Sequence, residues 1–155
     1  MLIEFYPFHL PDNIFEVLYA LKISGTTPII AHPERNKVIQ DNIGIIDRLI
    51  NTGCLIQSDA GSIIGHFGEK CKKFTKIILK KEMVHLLGSD AHNNHKRNFC
   101  LLPALEIAIN IMGDKAYKLV KENPKKVING EKIIPFEVIE LKKKNFFLKL
   151  LDFYK

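Results

Sequence analysis

The chain has 155 residues, 46% of them hydrophobic, and a net charge of +6 from 23 Lys and Arg against 17 Asp and Glu. That is enough for one domain with its own core. No apolar run reaches the roughly 18 to 20 residues that cross a bilayer, and the start lacks the basic-then-apolar order of a secretory signal, so no transmembrane segment and a cytoplasmic setting are expected.

Cys54, Cys71 and Cys100 form no CxxC pair, and none is followed six positions on by arginine. A disulfide framework, a cysteine zinc site and a phosphate loop around a nucleophilic cysteine are therefore not suggested. Lysines gather in three places, between Lys70 and Lys81, Lys115 and Lys126, and Lys142 and Lys149. Solvated helix faces account for most of them. The first two clusters lack the interleaved aromatics of single-strand nucleic-acid platforms, so no nucleic acid is expected as a partner. An acidic or phosphorylated partner fits the charge.

In chain order, "MLIEF" reads as a short strand ending around Glu4. "DNIFEVLYALKIS" follows as a helix with Ile14, Val17, Leu18 and Leu21 on one face, stopped at Gly25. "TPIIAHPER" is a strand reaching His32; "NIGIIDRLINTG" is a helix with Ile43, Ile46, Leu49 and Ile50 on one face, stopped at Gly53. "GCLIQ" is a strand expected to end at Gln57. The glycine-rich "GSIIGHFG" lacks the Gly-Lys-Ser/Thr ending of a nucleotide-binding loop and reads as a turn bordering a site. "MVHLLGSDAH" is a strand reaching Asp90 and His92. An apolar helix around Pro103 comes next, then a helix over "DKAYKLVKENPKKVI" expected to end near Asn123-Pro124. The last stretch, "FEVIELKKKNFFLKLLDFYK", reads as an added helix or strand packed on the body, with a peripheral membrane helix as the lesser alternative.

Strands alternating with helices predict an α/β fold of about four βα units around a parallel sheet. Such folds carry their reactive groups at the carboxyl ends of the strands. Glu4, His32, Asp90 and His92 all fall there, and carboxylate oxygens with neutral imidazole nitrogens are what a divalent metal ion takes. Singly, each has a plain structural role: an exposed carboxylate, a core histidine, a helix cap with a histidine in the first turn. Together they favour a metal site. His9, His66, His85 and His95 lack a comparable carboxylate partner, and His85 is expected inside a strand as a satisfied buried imidazole. Arg35 and Arg97 would overhang the same rim, where a guanidinium can grip phosphate bidentately; surface salt bridging is the alternative for each.

"TPIIAHPERN", "QSDAGSIIGHFG", "GSDAHNNHKR" and "ENPKKVINGEKI" resemble the polymerase-and-histidinol-phosphatase (PHP) superfamily, and more closely its bacterial protein-tyrosine phosphatases of capsular and extracellular polysaccharide synthesis. The resemblance runs from Leu2 to about Ile134. It implies a distorted (β/α)7 barrel with about three metal ions, Mn2+ first with Fe or Mg as alternatives, that activate water for attack on phosphotyrosine. Glu4 would bridge metals, His32, Asp90 and His92 would be ligands, and Arg35 and Arg97 would hold and polarise the phosphate. The implied substrate is the tyrosine-rich tail of a polysaccharide autokinase, which would bring the protein to the inner face of the membrane.

The family's opening His-x-His segment and acidic loop do not occur in this sequence. Residues 1–134 are therefore expected to be the C-terminal portion of the barrel, and 135–155 an extension. A partial barrel exposes strand edges, so self-association or assembly with the missing N-terminal half is expected, and the metal site would be incomplete. Two other functions stay open: an inactive remnant that binds a phosphorylated or acidic partner, and a phosphoesterase for a small ester such as histidinol phosphate. The Gln57 to Gly68 block argues against the second.

Overall fold

The structure is a computed structural model and describes residues 1–95 and 98–136. Four strands, β1 (Leu2–Glu4), β2 (Ile29–Ala31), β3 (Leu55–Asp59) and β4 (Leu86–Gly88), form a sheet in the order β1-β2-β3-β4, every neighbouring pair parallel. Between and after them run α1 (Ile14–Ile23), α2 (Lys37–Asp41), α3 (Gly44–Asn51), α4 (Ala60–Ile64), α5 (Glu69–Lys80), α6 (Leu101–Met112) and α7 (Asn123–Ile128). The α/β fold and its parallel sheet are those expected from the alternation of apolar runs and helical periods. Among the described residues no helix is long and apolar enough to cross a membrane.

Strand alternation sorts the sheet into two faces. Ile30, Ile56 and Leu87 turn towards the helices and meet Leu18, Ile39, Ile46, Leu49, Ile63 and Ile78 in the main core. Full burial of each such side chain contributes about 1.5 to 3 kcal/mol. On the other face Ile29, Leu55 and Leu86 pack beneath Ile133. Gly25 and Gly53 end α1 and α3 with φ of +84° and +92°, as their left-handed cap positions require. Gly88 serves another purpose: a Cβ there would come within 2.9 Å of the Gln57 amide.

Four local expectations need correction. β3 does not end at Gln57 but runs two residues further, to Asp59. Gln57 pairs with Ala31 and Leu86 in mid-sheet, and Ser58 and Asp59 continue the ladder as buried polar residues, which an apolar-run criterion takes for a loop. The helical path does not stop at Asn123-Pro124 either. A π-helical turn, Lys118–Glu122, leads straight into α7, with Pro124 in its first turn. His85 lies just ahead of β4, and only half of its hydrogen-bonding capacity is met: Nδ1 accepts the Ile56 N–H at 3.0 Å, while Nε2 is buried with no partner among the described residues. Val17, expected on the buried face of α1, is 44% exposed. The proposed extension from Glu137 onward lies outside the described residues.

Candidate functional site

All four strands point their carboxyl ends at one rim. Glu4 is the last residue of β1, and its carboxylate is mostly exposed; His32 follows β2 directly. The His32 N–H donates to the Gln57 carbonyl at 2.7 Å, and its φ of +34° is in the left-handed region, costly for a residue with a side chain. This turn brings His32 Nε2 to 3.3 Å from Glu4 Oε1. Pro33 then opens a short 3-10 turn, Pro33–Arg35, and Asn36 closes it by capping α2 through the Ile39 N–H at 3.0 Å. The Asn36 amide also donates to the Tyr6 and His9 carbonyls, tying the loop after β1 to the same corner.

Within that turn Glu34 and Arg35 point in opposite directions. Glu34 is fully buried and its Oε1 accepts the Asp59 backbone N–H at 2.8 Å. Arg35 swings out over the rim: Nη1 lies 2.7 Å from Asp90 Oδ2 and 3.5 Å from Asp59 Oδ2, and the guanidinium sits 4.4 Å above the Phe67 ring. Asp59 caps α4, its Oδ1 accepting the Gly61 N–H at 2.7 Å. Asp90, two residues past β4, is also left-handed, with φ of +45°. His92 folds back so that Nδ1 is 2.8 Å from the Asp90 carbonyl oxygen and 3.9 Å from its Oδ1. His66 borders this corner, in a shallow recess shared with Gly61, Phe67, Ser89 and Asp90; the stretch expected as a turn is helical in its first half, where Gly61 to Ile64 belong to α4. Arg97 lies outside the described residues. A cavity of about 600 Å³ lies elsewhere, at the amino ends of β2 and β3 beside Lys22 and Ile133.

Burial dominates the electrostatics. It lowers the His32 pKa, helped by Arg35 and opposed by Glu4 and Asp90, so the imidazole is neutral near pH 7. Asp59 is pushed up by burial, with the Gly61 N–H and Arg35 pulling against it. Glu34 is pushed up to about 7 by burial, against the Asp59 N–H bond. Cys54 rises to about 11 and Cys71 and Cys100 also rise, chiefly by burial, which leaves all three thiols protonated and unreactive.

The donors therefore fit a divalent ion in kind: a neutral imidazole and a carboxylate 3.3 Å apart, with a second carboxylate and imidazole at Asp90 and His92. They stand as pairs. Among the described residues no group of three or more carboxylate, imidazole or thiol donors converges on one point. Sequence reasoning missed Glu34, Asp59 and Phe67. The signal for Asp59 was present in "QSDAGS", where an aspartate directly precedes the glycine whose N–H it caps.

Residues 1–129 match the family model "Capsular polysaccharide synthesis, CpsB/CapC". The tyrosine-protein phosphatase YwqE of Bacillus subtilis is 34% identical over 134 residues, which covers 86% of this chain and 52% of YwqE. The tyrosine-protein phosphatase CpsB of Streptococcus pneumoniae is 34% identical over 115 residues, 70% of this chain and 47% of CpsB. A solved chain from the work on B. subtilis YwqE and S. pneumoniae CpsB, described as unique metal-dependent tyrosine phosphatases, superposes with a TM-score of 0.84 at 32% identity. It covers 90% of this chain and 57% of its own length. The chain thus spans about half the length of the relatives it matches, with their fold at its four parallel strands, and it belongs to the CpsB/CapC family of capsular polysaccharide synthesis proteins.

Proposed function

We propose that this chain is the C-terminal portion of a metal-dependent protein-tyrosine phosphatase of polysaccharide synthesis. Its four strands would be part of a distorted (β/α)7 barrel over residues 1–134, followed by an extension over 135–155. The observation that carries this reading is the shared rim, where the Glu4–His32 pair joins the ends of β1 and β2 and the Arg35–Asp90 pair reaches across β3 from the end of β2 to the end of β4. The relatives named as tyrosine phosphatases supply the reaction class.

In this reading Glu4, His32, Asp90 and His92 hold the metal, with Mn2+ the first ion to test and Fe or Mg next. A bound divalent ion supplies a hydroxide nucleophile at neutral pH and polarises the phosphoryl group. His32 offers a lone pair because burial keeps it neutral. Arg35 grips two phosphoryl oxygens through its planar fork and offsets charge as it builds up in transfer, and Arg97 has the same role. The substrate is phosphotyrosine on an autokinase tail; a chain of net charge +6 suits that acidic partner, and the partner would hold the protein at the cytoplasmic face of the membrane. The exposed margin of β1, with Leu2, Tyr6 and Phe8, is the surface that an N-terminal half or a second copy would cover.

Turnover of a phosphotyrosine peptide with Mn2+, measured on the chain alone and mixed with the N-terminal half of a relative, tests the assignment. Activity that appears in either sample and disappears in His92→Ala supports it. Phosphopeptide binding without turnover in both samples would instead favour a binding role, a reading consistent with metal donors that stand in pairs. Preference for a small phosphate ester over the peptide would move the substrate assignment.

A further inference from the structure

The sheet face opposite the main core carries Ile29, Leu55 and Leu86 and, one step further towards the carboxyl end of each strand, Ala31, Gln57 and Gly88. An amide is out of place there. Gln57 pairs with Leu86, yet its side chain rests against Gly88, where a Cβ would stand 2.9 Å from Nε2 and 3.3 Å from Cδ. It therefore leans along the strand towards the rim. Gly88 lies outside the left-handed region, so what it provides is room and not backbone freedom. The other flank holds the single methyl of Ala31. Asp59, one step further along the same face of β3, reaches Arg35 at 3.5 Å, which places the Gln57 amide just below the guanidinium.

Gln57 is half-buried, and among the described residues its amide makes no hydrogen bond. Packing does not account for it, because an apolar side chain of the same length would rest better on Leu55 and Leu86. Whichever way the amide is turned, it offers two N–H donors and one carbonyl acceptor. We propose that Gln57 is a substrate-binding residue whose amide N–H donates to a phosphoryl oxygen held at the rim by Arg35, with Gly88 leaving the amide its place. The proposal rests on the reading of the rim as a phosphate site. It adds a neutral donor from the middle of β3 to a grip otherwise made of arginine.

The test uses the purified 155-residue chain without metal, inorganic phosphate titrated by calorimetry, and the 15N-labelled side-chain NH2 signals of Gln57. Phosphate should shift those signals. Gln57→Met keeps the length of the side chain and should weaken phosphate binding about tenfold, with the melting temperature held or raised. Gly88→Ala pushes the amide aside; it should weaken binding in the wild type and change nothing in a Gln57→Ala background. The proposal is overturned if the Gln57 signals stay in place, if Gln57→Met binds phosphate as the wild type does, or if Gly88→Ala weakens binding equally in both backgrounds. A Gln57 with only a structural role would lower the melting temperature when replaced and leave phosphate affinity alone. Arg35→Gln separates this proposal from the reading beneath it. Phosphate binding lost there but intact in Gln57→Met ends the proposal and keeps the rim as a phosphate site, whereas affinity that ignores both changes ends both.

Discussion

The two halves of the rim are built to different standards. Around Arg35, the ends of β2 and β3 are locked together: Glu34 is buried and bonded to the Asp59 N–H, Asp59 is bonded to Gly61, and Phe67 floors the guanidinium. At β1, Glu4 stands with its side chain 67% exposed on a margin strand, and its link to the rest is the 3.3 Å approach to His32. The Arg35 half, proposed to hold phosphate, is thus set in place by folding, whereas the Glu4 carboxylate, proposed as a metal ligand, is left free to adjust. Hydrogen bonds made in a low-dielectric interior hold geometry, and a solvated carboxylate does not.

The sharpest break of the comparison is at its common support. Ile56→Ala empties a fully buried position beneath both halves and should destabilise the chain by about 2 to 5 kcal/mol in urea unfolding. A loss below about 1 kcal/mol would mean that the sheet can collapse around the gap and is not a rigid platform.

Next comes the pH response of the same platform. Burial drops the His85 pKa to about 4 from 6.5, so the unfolded chain takes up a proton in that window and the folded chain does not. Stability should therefore fall on acidification from about pH 6.5 to 4, by about 3 kcal/mol for this group, and His85 should add nothing further below that window. Glu34 is raised to about 7 and acts in the opposite sense, gaining stability as pH falls from about 7 towards its unfolded value of 4.5. Comparing wild type with His85→Gln at pH 7 and 4.5 isolates the histidine. Equal pH slopes in the two proteins would show that His85 charges in the folded state.

Glu34→Ala should cost about 1 to 3 kcal/mol, because it leaves the buried Asp59 N–H unpaired, while Glu34→Gln, which retains an acceptor, should cost less. Glu4→Gln is the matching change on the open half. It should stay within about 0.5 kcal/mol of wild type in stability. Mn2+ binding, followed by calorimetry, should weaken about tenfold if Glu4 is a ligand. Equal stability losses at Glu34 and Glu4 would erase the distinction between the two halves.

Much of this was legible in the residue order. Apolar runs before Glu4 and His32, with glycines at 25 and 53, placed those strand ends and two helix stops in advance, whereas the strand expected to reach Asp90 and His92 stops at Gly88. The third strand was cut short, because Gln57, Ser58 and Asp59 are polar residues in a buried strand and hydrophobicity is a poor guide where hydrogen bonds replace apolar contact. Glu34 was passed over for a related reason. Between His32 and Arg35 it reads as one more polar loop residue, and only its partner, 25 positions away, explains its burial.

The sequence by itself determined the local elements, since periodicity, glycine caps and proline positions act over a few residues. Tertiary structure decided which side chains meet. Arg35 is 24 residues from Asp59 and 55 from Asp90, and nothing local sets those pairings. The parallel register does, by bringing the carboxyl ends of neighbouring strands to one side of the sheet, where side chains distant in the chain share one small, partly desolvated space.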